Sequence, residues 1–196
     1  MERVILLLEK SVSGSSLNGD RKEDEKMSDV HTISVLVENK FGALARIAGL
    51  FSGRGYNIES LTVNRTEDPN ISRMTIVTTG DDAILDQIEK QLLKLVDVIG
   101  VTELNGETFI ERELVLVKIK ATHEKRPEIL SLVEIFDAKI ANVQPEELAI
   151  EVSGHSKKVE NFIKLVAEYG IIEIARTGRT AISSECGSTD KRMKTL

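Results

Sequence analysis

The sequence predicts an α+β protein built from two small sandwiches in tandem. Three observations support this prediction. Segments of alternating apolar residues indicate strands, apolar residues spaced by three and four indicate helices, and the same order of segments occurs twice. That order is β-α-β-β-α-β, the order of a ferredoxin-like sandwich. A chain of 196 residues is long enough for two such domains.

The first unit is predicted over residues 30–105 and starts with a half-buried strand of alternating apolar and polar residues. A helix is predicted next at 43–54, where apolar residues recur at helical spacing. Gly53 and Gly55 stand near its end, where a left-handed residue commonly closes a helix. The strands predicted for this unit are His31–Glu38, Asn57–Arg65, Ser72–Thr79 and Val96–Leu104.

The second unit is predicted over residues 112–183 and repeats the pattern. Pro127 suits the first position of a helix, because its missing N–H would have no acceptor there. Pro145 lies in a short hairpin, and Ser156 is predicted to cap the last helix. The strands predicted for this unit are Leu114–Ala121, Lys139–Gln144, Glu147–Val152 and Ile171–Arg176.

The two ends of the chain are rich in polar and charged residues. Residues 1–29 are therefore predicted to be a disordered or non-native extension, and Met27 offers an alternative start. Residues 184–196 are predicted to be a disordered tail. Between these ends, each sheet would carry helices on one face and leave its other face and its edges open, which predicts oligomerisation.

Composition narrows the class of partner. The chain has 26 Lys and Arg against 32 Asp and Glu, a net charge of −6, which argues against nucleic acid or an anionic membrane as the main partner. No apolar run approaches the ~20 residues of a membrane span. Cys186 is the single cysteine, so no intrachain disulfide can form. These features predict a cytoplasmic protein that binds small molecules or other proteins.

Several chemistries that occur on this fold are disfavoured. RNA binding needs aromatic residues on the central strands, and the third strand reads ISRMTIVTT. The histidines His31, His123 and His155 are too scattered to predict a zinc site. An acylphosphatase-like site could use an Arg and an Asn, but the glycine-rich loop of that family is absent. Because no acid, base and nucleophile come together, the sequence predicts a non-catalytic protein.

Three acidic residues at the start of the second predicted helix allow two interpretations. Asp81, Asp82 and Asp86 could bind a divalent cation, or they could stabilise the helix N-terminus through the helix dipole. The second interpretation is favoured, with Asp81 or Asp82 as the N-cap.

The turn before the first helix predicts a ligand site. Gly42 lacks a Cβ and lets a ligand approach the backbone, and the amides near Ala43 and Leu44 have no intrahelical acceptor. A ligand carboxylate would fit there, and Asn39 offers both a donor and an acceptor. A purely structural interpretation stays open from these residues alone, in which Gly42 serves a tight turn and Asn39 caps the helix.

Asn57 and Ile58 follow the first helix and are predicted to begin the second strand. They could add a polar amide and an apolar wall to the ligand site. Together with the turn, they would suit a small aliphatic amino acid. The alternative is that they merely start a strand.

The sequence HTISVLVENKFGALARIAGLFSGRGYNIESLTV, followed by DPNISRMTIVTTGDD and QIEKQLLKLVDVIGV, closely resembles the regulatory (small) subunit of acetolactate synthase, also called acetohydroxyacid synthase. The N-terminal part resembles an ACT domain. The resemblance continues through RELVLVKIKA, EIFDAKIANV and GIIEIARTGR and covers roughly residues 31–183. GLFSGRGYNIESLTV and SRMTIV are diagnostic in combination.

The resemblance implies a non-catalytic subunit that has no cofactor of its own. Such a subunit binds the catalytic (large) subunit, raises its activity, and confers feedback inhibition by valine or another branched-chain amino acid. Thiamine diphosphate, Mg and FAD would belong to the catalytic subunit. The alternative function is a free-standing ACT regulator that senses an amino acid without an enzyme partner.

The resemblance also implies a homodimer of side-by-side ACT domains, with effector sites at their interface. One departure from the family pattern is Phe41, where Ser or Pro is common, and it predicts a narrower pocket mouth or a changed effector preference. The implied effector-binding residues are Asn39, Phe41, Gly42, Ala43 and Leu44 of one protomer with Asn57 and Ile58 of the other.

Overall fold

The computed structural model describes residues 29–104 and 109–184. The predictions made for residues 1–28 and 185–196 lie outside these described residues. Within them the chain forms two antiparallel sheets, each with two α-helices, and the predicted α+β class of tandem βαββαβ units is confirmed. No helix in the described ranges is long and apolar enough to cross a membrane.

The N-terminal unit has its four strands in the spatial order β2-β3-β1-β4, so β2 and β4 are the edges of the N-terminal sheet. Helix α1 has the predicted bounds. Strand β2 begins three residues later than predicted, which places Asn57 and Ile58 in the connection before it. The elements are β1 Asp29–Glu38, α1 Ala43–Arg54, β2 Ser60–Arg65, β3 Ile71–Gly80, α2 Asp82–Leu92 and β4 Val98–Leu104.

The C-terminal unit repeats this arrangement with the order β6-β7-β5-β8. A 3-10 turn at Ala167–Tyr169 joins its last helix to β8. The other elements are β5 Phe109–Lys120, α3 Arg126–Ile135, β6 Lys139–Val143, β7 Glu147–Gly154, α4 Ser156–Val166, β8 Ile171–Arg176 and β9 Thr180–Ser183.

Each unit has its own aliphatic core between its sheet and its helices. Ile33 and Val35 of β1 are fully buried against Phe51 of α1 in the N-terminal unit. In the C-terminal unit, Val117 of β5 packs in the same core as Phe162 of α4. Burying such side chains contributes about 1.5–3 kcal/mol each, so the alternating pattern of β1 and β5 accounts for the position of the two cores.

Strand β9 was not predicted, and it extends the edge formed by β8. Both strands pair antiparallel with β5, with Arg176 opposite Val115 and Thr180 opposite Arg112. Three residues, 177–179, therefore face two residues of β5, which is the geometry of a β-bulge. Gly178 occupies the bulge with φ 81°, in the left-handed region that favours glycine.

This bulge and β9 lie against the face of the N-terminal sheet that points away from its helices. Thr62 Oγ1 donates to the carbonyl oxygen of Arg179 at 2.9 Å, and the Ala181 N–H donates to Thr75 Oγ1 at 3.4 Å. Thr32 and Thr75 on this face are only 4% and 2% exposed. The C-terminal segment therefore covers part of this face, so the predicted oligomerisation depends on the edges and on the part of the face that it leaves open.

The helix ends confirm some predicted caps and correct one. Gly55 closes α1 with φ 71°, and Gly53 lies inside the helix. Asp81 caps α2, because its side chain accepts the Ile84 N–H at 2.9 Å. Ser156 was predicted to cap α4, but the N-cap is His155, whose Nδ1 accepts the Lys157 N–H at 3.2 Å. The helix already begins at Ser156, and the Ser156 hydroxyl donates to the Glu111 carboxylate instead.

Replacing Asp81 with alanine is expected to lower the free energy of unfolding by about 1 kcal/mol, because the Ile84 amide loses its acceptor. Urea denaturation of the two proteins measures this difference. Asp86→Ala is the matched control, since within the described residues Asp86 forms an exposed i,i+4 pair with Lys90 at 3.6 Å, and its loss should cost at most about 0.5 kcal/mol. Equal losses in both variants would contradict the cap.

Candidate functional site

The turn between β1 and α1, residues 39–44, is here called the glycine turn. Gly42 is the N-cap of α1 with φ 84° and ψ −3°, and no side chain caps the helix. The first amides of α1 therefore have no side-chain acceptor among the described residues, and the Ala43 N–H donates to the backbone carbonyl oxygen of Lys40 at 3.3 Å. Phe41 is fully exposed and Leu44 is 44% exposed, whereas Ala43 is buried. The turn presents backbone donors beside accessible apolar side chains.

The guanidinium of Arg46 links the glycine turn to Asp97. Its Nε donates to the carboxylate of Asp97, whose side chain is 9% exposed, and its Nη2 donates to the Phe41 carbonyl oxygen at 3.3 Å. A Cβ added to Gly42 would lie 3.1 Å from Nη1 of Arg46. A fixed positive charge thus sits next to Gly42, and both the left-handed φ and this close contact favour glycine there.

Sequence reasoning missed this role of Arg46, and missed Asp97 altogether. The two residues are 51 positions apart, and no spacing pattern links them. The ion pair also leaves Arg46 engaged with Asp97, which does not fit the free phosphate-binding arginine of an acylphosphatase-like site.

Asn39 connects the glycine turn to the loop between β2 and β3. Its Nδ2 donates to the Pro69 carbonyl oxygen at 2.9 Å, and its backbone N–H donates to the Asn70 carbonyl oxygen at 2.6 Å. The interpretation of Asn39 as the cap of α1 is therefore wrong, because the cap position belongs to Gly42. The side chain of Asn39 is exposed beside the turn.

Lys40 adds a second positive charge to the turn. Its Nζ donates to the Glu38 carboxylate at 2.7 Å, and this hydrogen bond raises the pKa of Lys40. Lysine is protonated at neutral pH in any case, and the hydrogen bond further favours its charged form. The turn consequently carries two cations, each with a carboxylate partner.

Asn57 and Ile58 lie at the other end of α1. The Asn57 carbonyl oxygen accepts from the Thr78 hydroxyl at 2.6 Å, and its side-chain amide donates to Glu59. Ile58 is half-buried and packs against the N-terminal core. The connection is thus fixed to β3 and to the core before β2 begins.

The predicted site residues form two separate groups within one chain. Asn39, Phe41, Gly42, Ala43 and Leu44 precede or begin α1, whereas Asn57 and Ile58 follow it. A helix of 12 residues is roughly 18 Å long, so the two groups stand at opposite ends of that length. A small molecule could not contact both groups within one chain.

Other candidate ligand residues are engaged in structural contacts. Nδ1 of His31 lies 3.3 Å from Glu103, and its Nε2 lies 3.2 Å from the Gly80 carbonyl oxygen. His155 and Asp81 serve as helix caps. Across residues 29–104 and 109–184, no three His, Cys, Asp or Glu side chains are grouped so that they could hold a metal ion.

The two units match family models of the same enzyme subunit. Residues 33–100 match the model of the ACT domain of acetohydroxyacid synthase small subunits. Residues 112–185 match the model of the small subunit of acetolactate synthase. The two matches together cover both sheets.

Similar proteins carry the same description. A probable acetolactate synthase small subunit of Archaeoglobus fulgidus is 54% identical over 152 residues, which is 78% of this chain and 95% of that protein. The acetolactate synthase isozyme 3 small subunit of Escherichia coli is 49% identical over 77% of this chain and 93% of that protein.

A solved structure supports the same assignment. The crystal structure of the acetolactate synthase small subunit from Thermotoga maritima superposes with a TM-score of 0.74 at 44% identity. The match covers 81% of this chain and 99% of that chain, so both units are included. This chain therefore belongs to the family of acetolactate synthase small subunits.

Proposed function

We propose that this protein binds the catalytic subunit of acetolactate synthase in the cytoplasm, raises its activity, and inhibits it when valine or another branched-chain amino acid is bound. The observation that carries the effector part is the glycine turn, where uncapped helix amides stand beside the guanidinium of Arg46. Thiamine diphosphate, Mg and FAD chemistry would belong to the catalytic subunit, which is the partner implied by relatives named as small subunits.

The chemistry of the turn suits the carboxylate of an amino acid. Helix N-terminal amides and the positive end of the helix dipole favour an anion. Asn39 can meet the ammonium or the carboxylate through its amide. Leu44 and Ile58 can supply an apolar wall for a short branched side chain. A methylene is worth only ~1–3 kcal/mol in such a pocket, so this wall does not choose among valine, leucine and isoleucine.

A homodimer brings the two groups of site residues together. One protomer would supply the glycine turn and the other would supply Asn57 and Ile58. Strand β2 is an edge of the N-terminal sheet and begins two positions after Ile58, so side-by-side pairing of two ACT domains can place Asn57 and Ile58 near the partner's turn. The full exposure of Phe41 fits a residue that a second copy covers.

Inhibition then requires that the effector prefers one dimer arrangement over another. A ligand with equal affinity for both arrangements does not change their relative populations. If the effector binds one arrangement about tenfold more tightly, each site contributes ~1.4 kcal/mol, and two symmetric sites contribute about twice that.

The test is calorimetric titration of valine, leucine and isoleucine into the protein, alone and with its catalytic subunit, combined with assays of acetolactate formation. We expect higher activity on adding the small subunit and saturable inhibition by at least one amino acid. Binding without any effect on the enzyme would favour a free-standing sensor. No binding and no change in activity would contradict the proposal.

Asn39→Ala is expected to weaken effector binding, because an amide partner is lost at a site that the dimer buries. A lost hydrogen bond of this kind costs ~1–3 kcal/mol. Titration of the effector measures the change in Kd. The matched control is Asn142→Ala, which removes an exposed asparagine of the C-terminal unit and should leave the Kd unchanged. An unchanged Kd in Asn39→Ala would show that Asn39 does not contact the effector and that its side chain only anchors the turn to Pro69.

A further inference from the structure

The two units are joined by a set of contacts that we call the clasp, formed by Ser60 and Thr62 of β2 with the bulge at residues 177–179. The Arg179 N–H donates to Ser60 Oγ at 3.1 Å, and Thr62 Oγ1 donates to the Arg179 carbonyl oxygen at 2.9 Å. Both hydroxyls thus bind the backbone of the same residue on the other unit. The clasp is a polar contact between one edge strand and one bulge.

Glycine is required at the centre of the clasp for two reasons. Gly178 has φ 81°, a conformation that residues with a Cβ rarely adopt. A Cβ at this position would lie 2.5 Å from Ser60 Oγ and 3.1 Å from Thr62 Oγ1. The bulge is therefore fitted to the two hydroxyls of β2, and a side chain at Gly178 would displace these hydroxyls or the bulge itself.

The bulge is firmly attached to the C-terminal unit. Just before it, Arg176 donates to Glu113 of β5 at 2.7 Å and 3.0 Å and pairs with Glu160 of α4 at 2.7 Å. The Thr177 N–H donates to the Leu114 carbonyl oxygen at 3.0 Å. If the bulge is displaced, β5 and α4 are therefore expected to move with it.

On the other side, the clasp holds the strand that follows the candidate effector residues. Ser60 is the first residue of β2 and lies two positions after Ile58. Beside the clasp, a cleft of about 590 Å³ opens between the units and is lined by Glu59 and Ser60 of one unit and Glu160 and Arg176 of the other. Next to this cleft, the hydrogen bonds of Ser60 and Thr62 connect β2 to the C-terminal unit.

We propose that the clasp couples effector binding to the C-terminal unit. An effector that contacts Asn57 and Ile58 shifts the start of β2, and Ser60 and Thr62 pass this shift to the bulge. The C-terminal unit then changes its position relative to the ACT domain. This inference rests on the proposed function, since it needs an effector at that end of α1. Coupling is reciprocal, so altering the bulge must also change effector affinity.

The test uses Gly178→Ala in the full chain bound to its catalytic subunit. Because Gly178 lies on the C-terminal unit, its substitution reaches the effector site through the clasp. We expect the Kd of valine, leucine or isoleucine, whichever binds, to change about fivefold or more in calorimetric titration. Gly170→Ala is the matched control. Gly170 also has a positive φ of 90°, but an added Cβ would meet Lys120 of its own unit, so the Kd should stay within about twofold.

A second measurement does not depend on how well Gly178→Ala folds. In the wild-type complex, the effector should change hydrogen–deuterium exchange at the Arg179 amide, whose acceptor is Ser60 on the other unit. In Ser60→Ala/Thr62→Val, which removes both hydroxyls with little change in shape, exchange at residues 177–183 should no longer respond to the effector.

The outcomes separate the coupling from the proposed function. The coupling is wrong, and the effector site stands, if two results occur together. The effector binds the wild type without changing hydrogen–deuterium exchange at Arg179, and Gly178→Ala and Ser60→Ala/Thr62→Val bind it with an unchanged Kd. If the wild-type complex binds none of the three amino acids, the proposed function fails and the coupling fails with it. A changed Kd in Gly178→Ala together with an unresponsive bulge in the double variant supports the coupling.

Discussion

Arg176→Met is expected to lower the free energy of unfolding of the C-terminal unit by about 3 kcal/mol, because it leaves the Glu113 carboxylate buried without its cation. The Glu113 side chain is only 2% exposed and accepts two hydrogen bonds from Arg176. Methionine keeps the apolar stem of the arginine and lacks its guanidinium, so the loss mainly reports the charge and its hydrogen bonds. Arg176 itself is partly exposed, which places the expected loss at the lower end of the range for buried pairs.

The protonation state of Arg176 does not complicate this measurement. The hydrogen bond to Glu113, with a further contribution from Glu160, raises the pKa of Arg176 above its already high ordinary value. A group with a raised folded-state pKa contributes its stability below the unfolded-state value and loses it only as the pH rises through the folded-state value. The arginine is therefore charged at every pH at which the protein would be studied.

Equilibrium unfolding in guanidinium chloride, followed by circular dichroism, measures the loss. Lys118→Met is the matched control, because Lys118 pairs with Glu173, which is 70% exposed, and such a pair is worth at most ~1 kcal/mol. Adding Glu113→Gln to Arg176→Met should recover part of the stability, because the buried charge is then removed. A loss in Arg176→Met no larger than in Lys118→Met would show that water already solvates Glu113.

Gly42→Asp is expected to weaken effector binding by about 100-fold while leaving activation of the catalytic subunit intact. Like charges brought together at a buried interface cost several kcal/mol, and roughly 3 kcal/mol corresponds to about 100-fold. An aspartate at this position would place its carboxylate beside Arg46, because a Cβ there lies 3.1 Å from Nη1. The introduced carboxylate would take the place of the effector's own.

The isosteric variant Gly42→Asn separates charge from size. Asparagine and aspartate both tolerate the left-handed conformation better than other residues with a Cβ. Gly42→Asn should therefore fold as well as Gly42→Asp and weaken binding less, because it adds no charge. Valine-inhibition curves and calorimetric titrations of both variants give the comparison. Inhibition at an unchanged valine concentration in Gly42→Asp would remove the glycine turn from the effector site.

The predicted fold class rested on local patterns, and these patterns were sufficient for most elements. Helix α1 has the predicted bounds, because its apolar stripe and the glycine after it act over single turns. Strand β1 follows from strict alternation, which places Ile33 and Val35 in the core. Strand β9 was missed, because four residues, TAIS, are too few for a periodic pattern.

For the candidate site, too, local signals were predicted from the sequence and long-range contacts were not. The sequence alone identified the glycine turn, since a residue without a Cβ before an apolar helix is a local signal. It could not show that Arg46 holds the turn through Asp97, 51 residues away. The use of Asn39, Gly42 and Asn57 by an effector stays a prediction.

The class of fold, the bounds of α1 and the resemblance to the acetolactate synthase small subunits all follow from the order of residues, because period, capping and motif are properties of neighbouring residues. The packing of the chain was needed to show that Arg46 holds the glycine turn through Asp97 and that a bulge at Gly178 joins the two units. These features depend on contacts between residues far apart in the sequence, 51 positions for Arg46 with Asp97 and 117 positions for Thr62 with Arg179. Such contacts form only when the packing of both sheets brings the segments together.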